Sequence, residues 1–237
     1  MKPKWSVFLA VFFIMVIFVG LIVLVIYKNE RSISSFANNL DTKYKTVIID
    51  AGHGGIDGGA VAKDGTLEKD INLALSKKLE IAMKLMGYNV VMTRTKDELI
   101  FDAGNCNTIR QKKVSDIHNR ANLINSTPDS IVISIHQNKF SSAKYSGTQV
   151  FYSPNNEDSE PLAQSIQLAV RELLQPENKR EIKKTGTNIY MLYYAKVPAV
   201  MVECGFLSNV EECNKLKSYD YQKQVMFCIM CGILNYI

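Results

Sequence analysis

Six short runs rich in β-branched and aliphatic residues, at 46–50, 88–93, 130–135, 147–152, 188–193 and 199–203, alternate with longer stretches whose apolar residues recur at helical spacing. Strand patterns separated by helix patterns predict an α/β layered fold with a largely parallel sheet. One helix is predicted over 70–86, with Ile71, Leu75, Leu79, Ala82, Met83 and Met86 on one face and Gly87 as its stop. Ser115 or Asp116 is placed to cap a second, which carries Ile117, Ala121 and Ile124. A third covers 157–174 through Leu162, Ile166, Val170 and Leu173, a short one is expected with Ser208 as its cap, and the last runs over 219–235. The polar stretches 94–113 and 175–186 are predicted loops.

In such sheets ligands bind beyond the carboxyl ends of the strands. His53, His136 and Glu203 each follow a strand run directly. His53 lies in Asp50-Ala51-Gly52-His53-Gly54-Gly55, a glycine-rich turn that leaves its ring accessible. A turn histidine bonded to backbone is the plainer alternative. A phosphate cradle is a weaker one, because the Lys-Ser/Thr ending of a P-loop and the spacing of a dinucleotide turn are missing. Glu68 opens the 70–86 helix, where the helix dipole alone would favour an acid. His136 ends a β-branched run in the polar cluster His136-Gln137-Asn138. Two histidines and one carboxylate at element ends suit a three-ligand zinc site with an open fourth position. His118 lies on a polar helix face and reads as a surface or ligand-supporting residue.

Glu203 ends the apolar run before Cys204-Gly205, where a charge is costly unless it is paired or does chemistry. A zinc hydrolase needs such a carboxylate to move a proton from water to the leaving group. Asp50 is placed to orient a ligand, or merely to cap the turn. Gln137 and Asn138 are expected beside the ligands or in the substrate cleft. Cys204 as a nucleophile ranks far lower, since no oxyanion motif or cysteine-family signature surrounds it.

The segment 7–27 is almost unbroken in its apolar character, with Lys2 and Lys4 before it and Lys28 and Arg31 after it. That length suits a bilayer-spanning helix. A cleaved signal is the competing reading, but the best cleavage site, Ser35-Phe36-Ala37, lies far past the apolar run. The expected organisation is a signal-anchor over 1–28, a polar tether over 29–44 and a catalytic domain over 45–237. This places the domain outside the cytoplasm, membrane-anchored or secreted. The net charge of +5 suits an anionic surface or polymer. No stripe of Lys/Arg interleaved with aromatics appears, so nucleic acid is not an expected partner. Five cysteines at irregular spacing make no disulfide framework, and Cys228-Ile229-Met230-Cys231 lies in an apolar helical run that predicts buried thiols.

The blocks Val47–Gly55, Glu68–Leu73, Thr93-Arg94, Arg120–Asn122, Ser134–Asn138 and Pro198–Asn209 resemble, in order and spacing, the zinc-dependent N-acetylmuramoyl-L-alanine amidases of the amidase-3 type. The single domain behind a hydrophobic N-terminus is most similar to the CwlD-type enzymes of endospore formers. The resemblance implies a three-layer, phosphorylase/hydrolase-like fold: a mixed, mainly parallel sheet with helices on both faces. It implies cleavage of the amide between N-acetylmuramic acid and the L-alanine of the peptidoglycan stem peptide, in spore cortex on the way to muramic-δ-lactam. Carried over by motif, His53, Glu68 and His136 bind Zn²⁺ and Glu203 is general base and acid. Ala51 stands where the family usually has Pro, and Gln137 where it often has a small residue, which directs attention to the cleft wall. An inactive peptidoglycan-binding module and a different wall-directed zinc hydrolase, a peptidase or deacetylase, are the competing functions. A protein activator is compatible with the chain but not readable from it.

Overall fold

The computed structural model describes residues 15–21, 24 and 43–237. Met1–Asp41 with Leu85–Gly87 forms one compact unit, and Thr42–Lys84 with Tyr88–Ile237 the other. In the first, residues 15–21 and 24 are helical, and Met15, Val16, Ile17, Phe18, Val19, Leu21 and Leu24 are exposed. Most of the expected signal-anchor lies outside the described residues. Among the described residues no helix is long and apolar enough to cross a membrane.

The second unit is built on six strands: β1 (Thr46–Ala51), β2 (Asn89–Met92), β3 (Ser130–Asn138), β4 (Gln149–Tyr152), β5 (Lys183–Lys184) and β6 (Ala199–Phe206). Their order across the sheet is β2-β1-β3-β6-β4-β5. β1 pairs in parallel with β2 and β3, and β3 in parallel with β6. β4 runs antiparallel to β6. The helices are α1 (Glu68–Leu85), α2 (Ile109–Asn125), α3 (Ser159–Leu173), α4 (Tyr190–Tyr193), α5 (Val210–Lys217) and α6 (Tyr219–Tyr236).

Central strands are buried on both faces, which is why they read as continuous apolar runs rather than alternating ones. Ile48 of β1, Val132 of β3 and Ala199 and Met201 of β6 form one core with Ile124 of α2 and Met191 and Leu192 of α4. Val47, Ile49, Ile131, Ile133, Val200 and Val202 alternate with these and are fully buried on the opposite face. The sheet is thus mixed and mostly parallel, as expected.

Four local expectations are corrected. The run 188–193 is not a strand. Adjacent Met191 and Leu192 are both buried, which the turn of α4 permits and strand alternation would not. The second helix begins at Ile109, inside the predicted 94–113 loop. Thr108 and Gln111 form a reciprocal capping box there, so Ser115 and Asp116 are interior residues. The 175–186 loop contributes the two-residue strand β5. The cap of the short helix is Asn209 rather than Ser208, since the Asn209 side chain accepts from the Glu212 amide.

Candidate active site

The carboxyl ends of β1, β3 and β6 lie together, and the antiparallel β4 brings its first residue to the same end. Register places His136 of β3 beside Glu203 of β6, and Glu203 beside Gln149 of β4. Residues paired in this way project to one face. His136, Glu203 and Gln149 therefore form a row across three strands. A bulge follows, since Asn138 pairs with Phe206. The extra residue lies in β6 just after Glu203, a common device for aiming a side chain at a site.

His53 arrives from the turn after β1 in a left-handed conformation, with φ at 61°. Its ring meets that of His136 edge-on, with centroids 4.9 Å apart. Glu68, the first residue of α1, lies between them. Its Oε2 is 3.3 Å from Nε2 of His53 and its Oε1 is 2.9 Å from Nδ1 of His136. One ligand atom from each of the three lies within 4.8 Å of the others. Two imidazoles and a carboxylate form a donor set suited to zinc. Glu68 is fixed by amide donors from Ala60 (2.7 Å) and Gln137 (3.1 Å) and by the Asn72 side chain (3.2 Å).

Two glycines make room for this group. A Cβ on Gly52 would lie 2.2 Å from Nε2 of His136. Gly59, at φ +66°, would place a Cβ 2.5 Å from Oε2 of Glu68 and 2.7 Å from Cδ2 of His53. The chain leaves space around the ligand atoms that any other residue would fill.

Charge follows from these contacts. Burial raises the Glu68 carboxyl, but the imidazoles of His136 and His53 outweigh it and hold Glu68 far below the usual carboxylate range. Burial disfavours charge on His53, while Asp57 and Glu68 raise it to about 9. A dication held by these ligands would take the place of that proton. Glu203 differs: burial pushes its carboxyl up to about 7, against the pull of His136 and with the repulsion of Glu68. Its Oε2 is buried and has no hydrogen-bond partner among the described residues. An orphaned oxygen with that pKa, beside a histidine of the donor set, can both accept and release a proton near neutrality.

Several supporting residues were not singled out from sequence. Asp57 accepts from Nδ1 of His53 at 2.8 Å and pairs with Lys113 at 2.7 Å. Arg120 donates to the carbonyls of Ala51 (2.9 Å) and His53 (2.8 Å). Arg94 donates to those of Ala51 (2.8 Å) and Gly52 (3.1 Å). Two buried guanidiniums thus grip three consecutive carbonyls of the histidine turn. Lys113, Asp116 and Arg120 share one face of α2 at i, i+3 and i+7. The signal was present: an acid four residues after a turn histidine, and Thr93-Arg94 and Arg120 within the family-like blocks.

Asp50 touches no ligand. It bonds to Arg120 (2.6 Å), Thr93 (2.8 Å) and Ser134 (2.6 Å), so it supports the turn at one remove. Gln137 does not line the cleft. Strand alternation turns its side chain away from His136, and it is buried against Asn72 at 3.1 Å. Its backbone amide holds Glu68 directly, and its side chain holds Asn72, which in turn donates to Glu68. The Asn138 carbonyl accepts from Leu207, tying β3 to β6 beyond the bulge. His118 stacks on Tyr190 at 4.7 Å, apart from the ligand group. All five cysteines are free. Burial pushes the Cys204 thiol up, which opposes a nucleophilic role.

Residues 47–235 match the family model described as N-acetylmuramoyl-L-alanine amidase. A relative named germination-specific N-acetylmuramoyl-L-alanine amidase, from Bacillus subtilis, is 35% identical over 235 residues, covering 99% of this chain and 95% of that protein. The solved structure of the CwlD amidase from Clostridioides difficile, in complex with the GerS lipoprotein, is 41% identical, with a TM-score of 0.78 over 81% of this chain and 98% of the other. An N-acetylmuramoyl-L-alanine amidase from Clostridium difficile 630 is 30% identical, with a TM-score of 0.70 over 82% and 97%. With the family model spanning the sheet and every residue of the ligand group, the chain belongs to the N-acetylmuramoyl-L-alanine amidase family.

Proposed function

We propose that the protein is a zinc-dependent hydrolase of the amide between N-acetylmuramic acid and L-alanine of the peptidoglycan stem peptide. The observation that carries the reading is Glu68 bridging two imidazoles while Glu203, paired in register with one of them, keeps an orphaned oxygen.

His53, Glu68 and His136 are the residues that would hold zinc. When bound there, zinc supplies polarisation of the scissile carbonyl and acidification of water. The protein's own residues do the rest. Asp57 fixes the ring of His53, and the amides of Ala60 and Gln137 fix Glu68. Glu203 accepts a proton as water attacks the carbonyl carbon, and returns it to the nitrogen as the C–N bond breaks. A carboxyl near pKa 7 suits both transfers.

The finer reading places the reaction in spore cortex, where cleavage exposes muramic acid for δ-lactam formation. The germination-specific name of a relative aligned over nearly the whole chain supports this. An extracytoplasmic domain tethered to the membrane is supported by the apolar run 7–27 and by the exposed apolar side chains at 15–21. A protein partner is supported by the complex in which the Clostridioides difficile relative was solved.

Mass spectrometry of digested sacculi tests the reading. New amino-terminal alanine without new reducing ends is expected. New termini within the stem would make the enzyme a peptidase, released acetate a deacetylase, and no product a binding module.

A further inference from the structure

The row His136–Glu203–Gln149 has a direction. The donor set for the metal stands at one end, and the proton-handling carboxylate in the middle. Beyond Glu203 the row continues to Gln149, whose Oε1 accepts from Nη1 of Arg180 at 3.4 Å. In an amide bond the carbonyl carbon and the nitrogen are adjacent atoms. If the carbonyl faces the metal end and the nitrogen faces Glu203, the chain attached to nitrogen leaves toward Gln149 and Arg180. That chain is the peptide.

Arg180 also belongs to the wall of a cleft of about 660 Å³, with Lys144, Tyr145 and Lys179; Glu203 and Gln149 are not among its lining residues. None of the three cations pairs with an acidic side chain among the described residues. Of the acids on the same walls, Glu177, Glu211 and Glu212, the last two are committed. Glu211 pairs with Lys215 at 2.7 Å. Glu212 accepts from the amides of Gly147 and Phe206, both at 2.7 Å. Arg180 is also the best-fixed of the three cations. Its guanidinium carbon lies 4.4 Å from the Phe206 ring centroid and 5.9 Å from that of Tyr145, and its Nε donates to the Ser146 carbonyl at 2.7 Å. A guanidinium held against aromatic rings, with Nη donors to spare and a neighbouring Glu212 carboxylate already engaged by two backbone amides, is suited to receive a further carboxylate. The cavity beside His53 and His136 is lined by Asp50, Asp57, Asp116, Ile117, Tyr190 and Met191, and its one arginine, Arg120, is already paired with Asp50 and Asp116.

We propose that Arg180 is a specificity-determining residue, which receives a free carboxylate of the leaving peptide as that peptide runs from Glu203 past Gln149 into this cleft. The inference rests on the amidase reading. It adds the direction of the substrate and the chemistry recognised on its peptide side.

The test uses the zinc-loaded full chain and two glycan fragments bearing an L-alanyl-D-glutamyl stem. One has a free α-carboxyl on the second residue, and the other a carboxamide. Release of amino-terminal alanine is measured for both. The wild type is expected to prefer the free carboxyl by roughly tenfold or more in kcat/KM, mostly through KM, as befits a charged hydrogen bond. Arg180→Gln is expected to bring that ratio close to one, and Arg180→Lys to restore part of it. Lys223→Gln, on the exposed face of α6, should leave the ratio as in wild type. Cleavage of both substrates with a wild-type ratio near one, or a preference that survives in Arg180→Gln, overturns the inference alone. No alanine released from either substrate by the wild type overturns the amidase reading and the inference with it.

Discussion

Asp57 binds His53 with one carboxylate oxygen and Lys113 with the other, at 2.8 and 2.7 Å. The first contact fixes which imidazole nitrogen carries the proton and leaves Nε2 facing Glu68. Asp57→Asn is expected to weaken zinc binding roughly 10- to 100-fold while the protein stays folded. Lys113→Met should weaken it less, because the Asp57 contact to the ring survives. Competition with a chromophoric chelator reads both. An unchanged affinity in Asp57→Asn would show that His53 is oriented by its turn alone.

Glu203→Gln separates metal binding from chemistry. The amide keeps the shape of the side chain but cannot take a proton. Turnover is expected to fall by roughly 10²- to 10⁴-fold with zinc content unchanged. Metal analysis and alanine release on the same preparation check this. Zinc lost from the variant would make Glu203 part of the binding group instead.

The two glycines around the ligand atoms should fail differently. Gly52→Ala puts its Cβ nearest to the His136 ring, at 2.2 Å, so it is expected to abolish tight zinc binding by displacing that ring, with a smaller loss of thermal midpoint than Gly59→Ala. Gly59→Ala meets Glu68 and must also hold φ +66°, which costs about 1–2 kcal/mol in itself. It should lower the midpoint by several degrees as well. Calorimetric scans with and without zinc distinguish them.

Asp50 links the site to acid stability. Burial alone would raise its pKa, but the charges of Arg120 and His136 and the Ser134 hydroxyl bring it from 3.8 to about 2. The folded value is depressed, so the stabilisation is complete above the unfolded value and is lost as pH falls through about 2. A shift of that size corresponds to about 2 kcal/mol. Urea unfolding of the wild type should therefore lose stability across this window. Asp50→Asn should be weaker at neutral pH and flatter in acid.

His53 makes zinc binding a proton exchange. Without metal its pKa is raised to about 9, so at neutral pH the ring is charged and must lose a proton to become a ligand. Titration calorimetry in buffers of different ionisation enthalpy is expected to show about one proton released per zinc near pH 7. Affinity should rise with pH until about 9. No proton release would mean that Asp57 and Glu68 do not charge the ring.

How much of this was legible depends on the range of the interaction. The β-branched runs announced the central strands because both of their faces are buried. Helical spacing of Ile71, Leu75, Leu79 and Met83 announced α1, and Gly87 its end. His53, His136 and Glu203 were legible because each breaks an apolar run at a strand end. The helix α4 was misread because Tyr190–Tyr193 has strand-like composition, and only its packing over Ile48, Val132 and Met201 makes it helical. The start of α2 was missed because its polar first turns lack apolar spacing, although Thr108 and Gln111 carried the cap signature. Asp57 and Lys113 lie 56 positions apart in the chain, and no local pattern joins them. The same holds for Gln149, which gains meaning only once β4 turns against β6.

That reversal of β4 sets what natural variation can reach. The ends of three parallel strands and the first turn of α1 carry the residues proposed for zinc binding and proton transfer, whereas the opposite bank of the cleft is furnished by residues 139–148 and by the 175–182 segment, neither of which holds one of them. Insertions, deletions or recharging in these two segments can retune which peptides are accepted while the hydrolytic apparatus stays as it is.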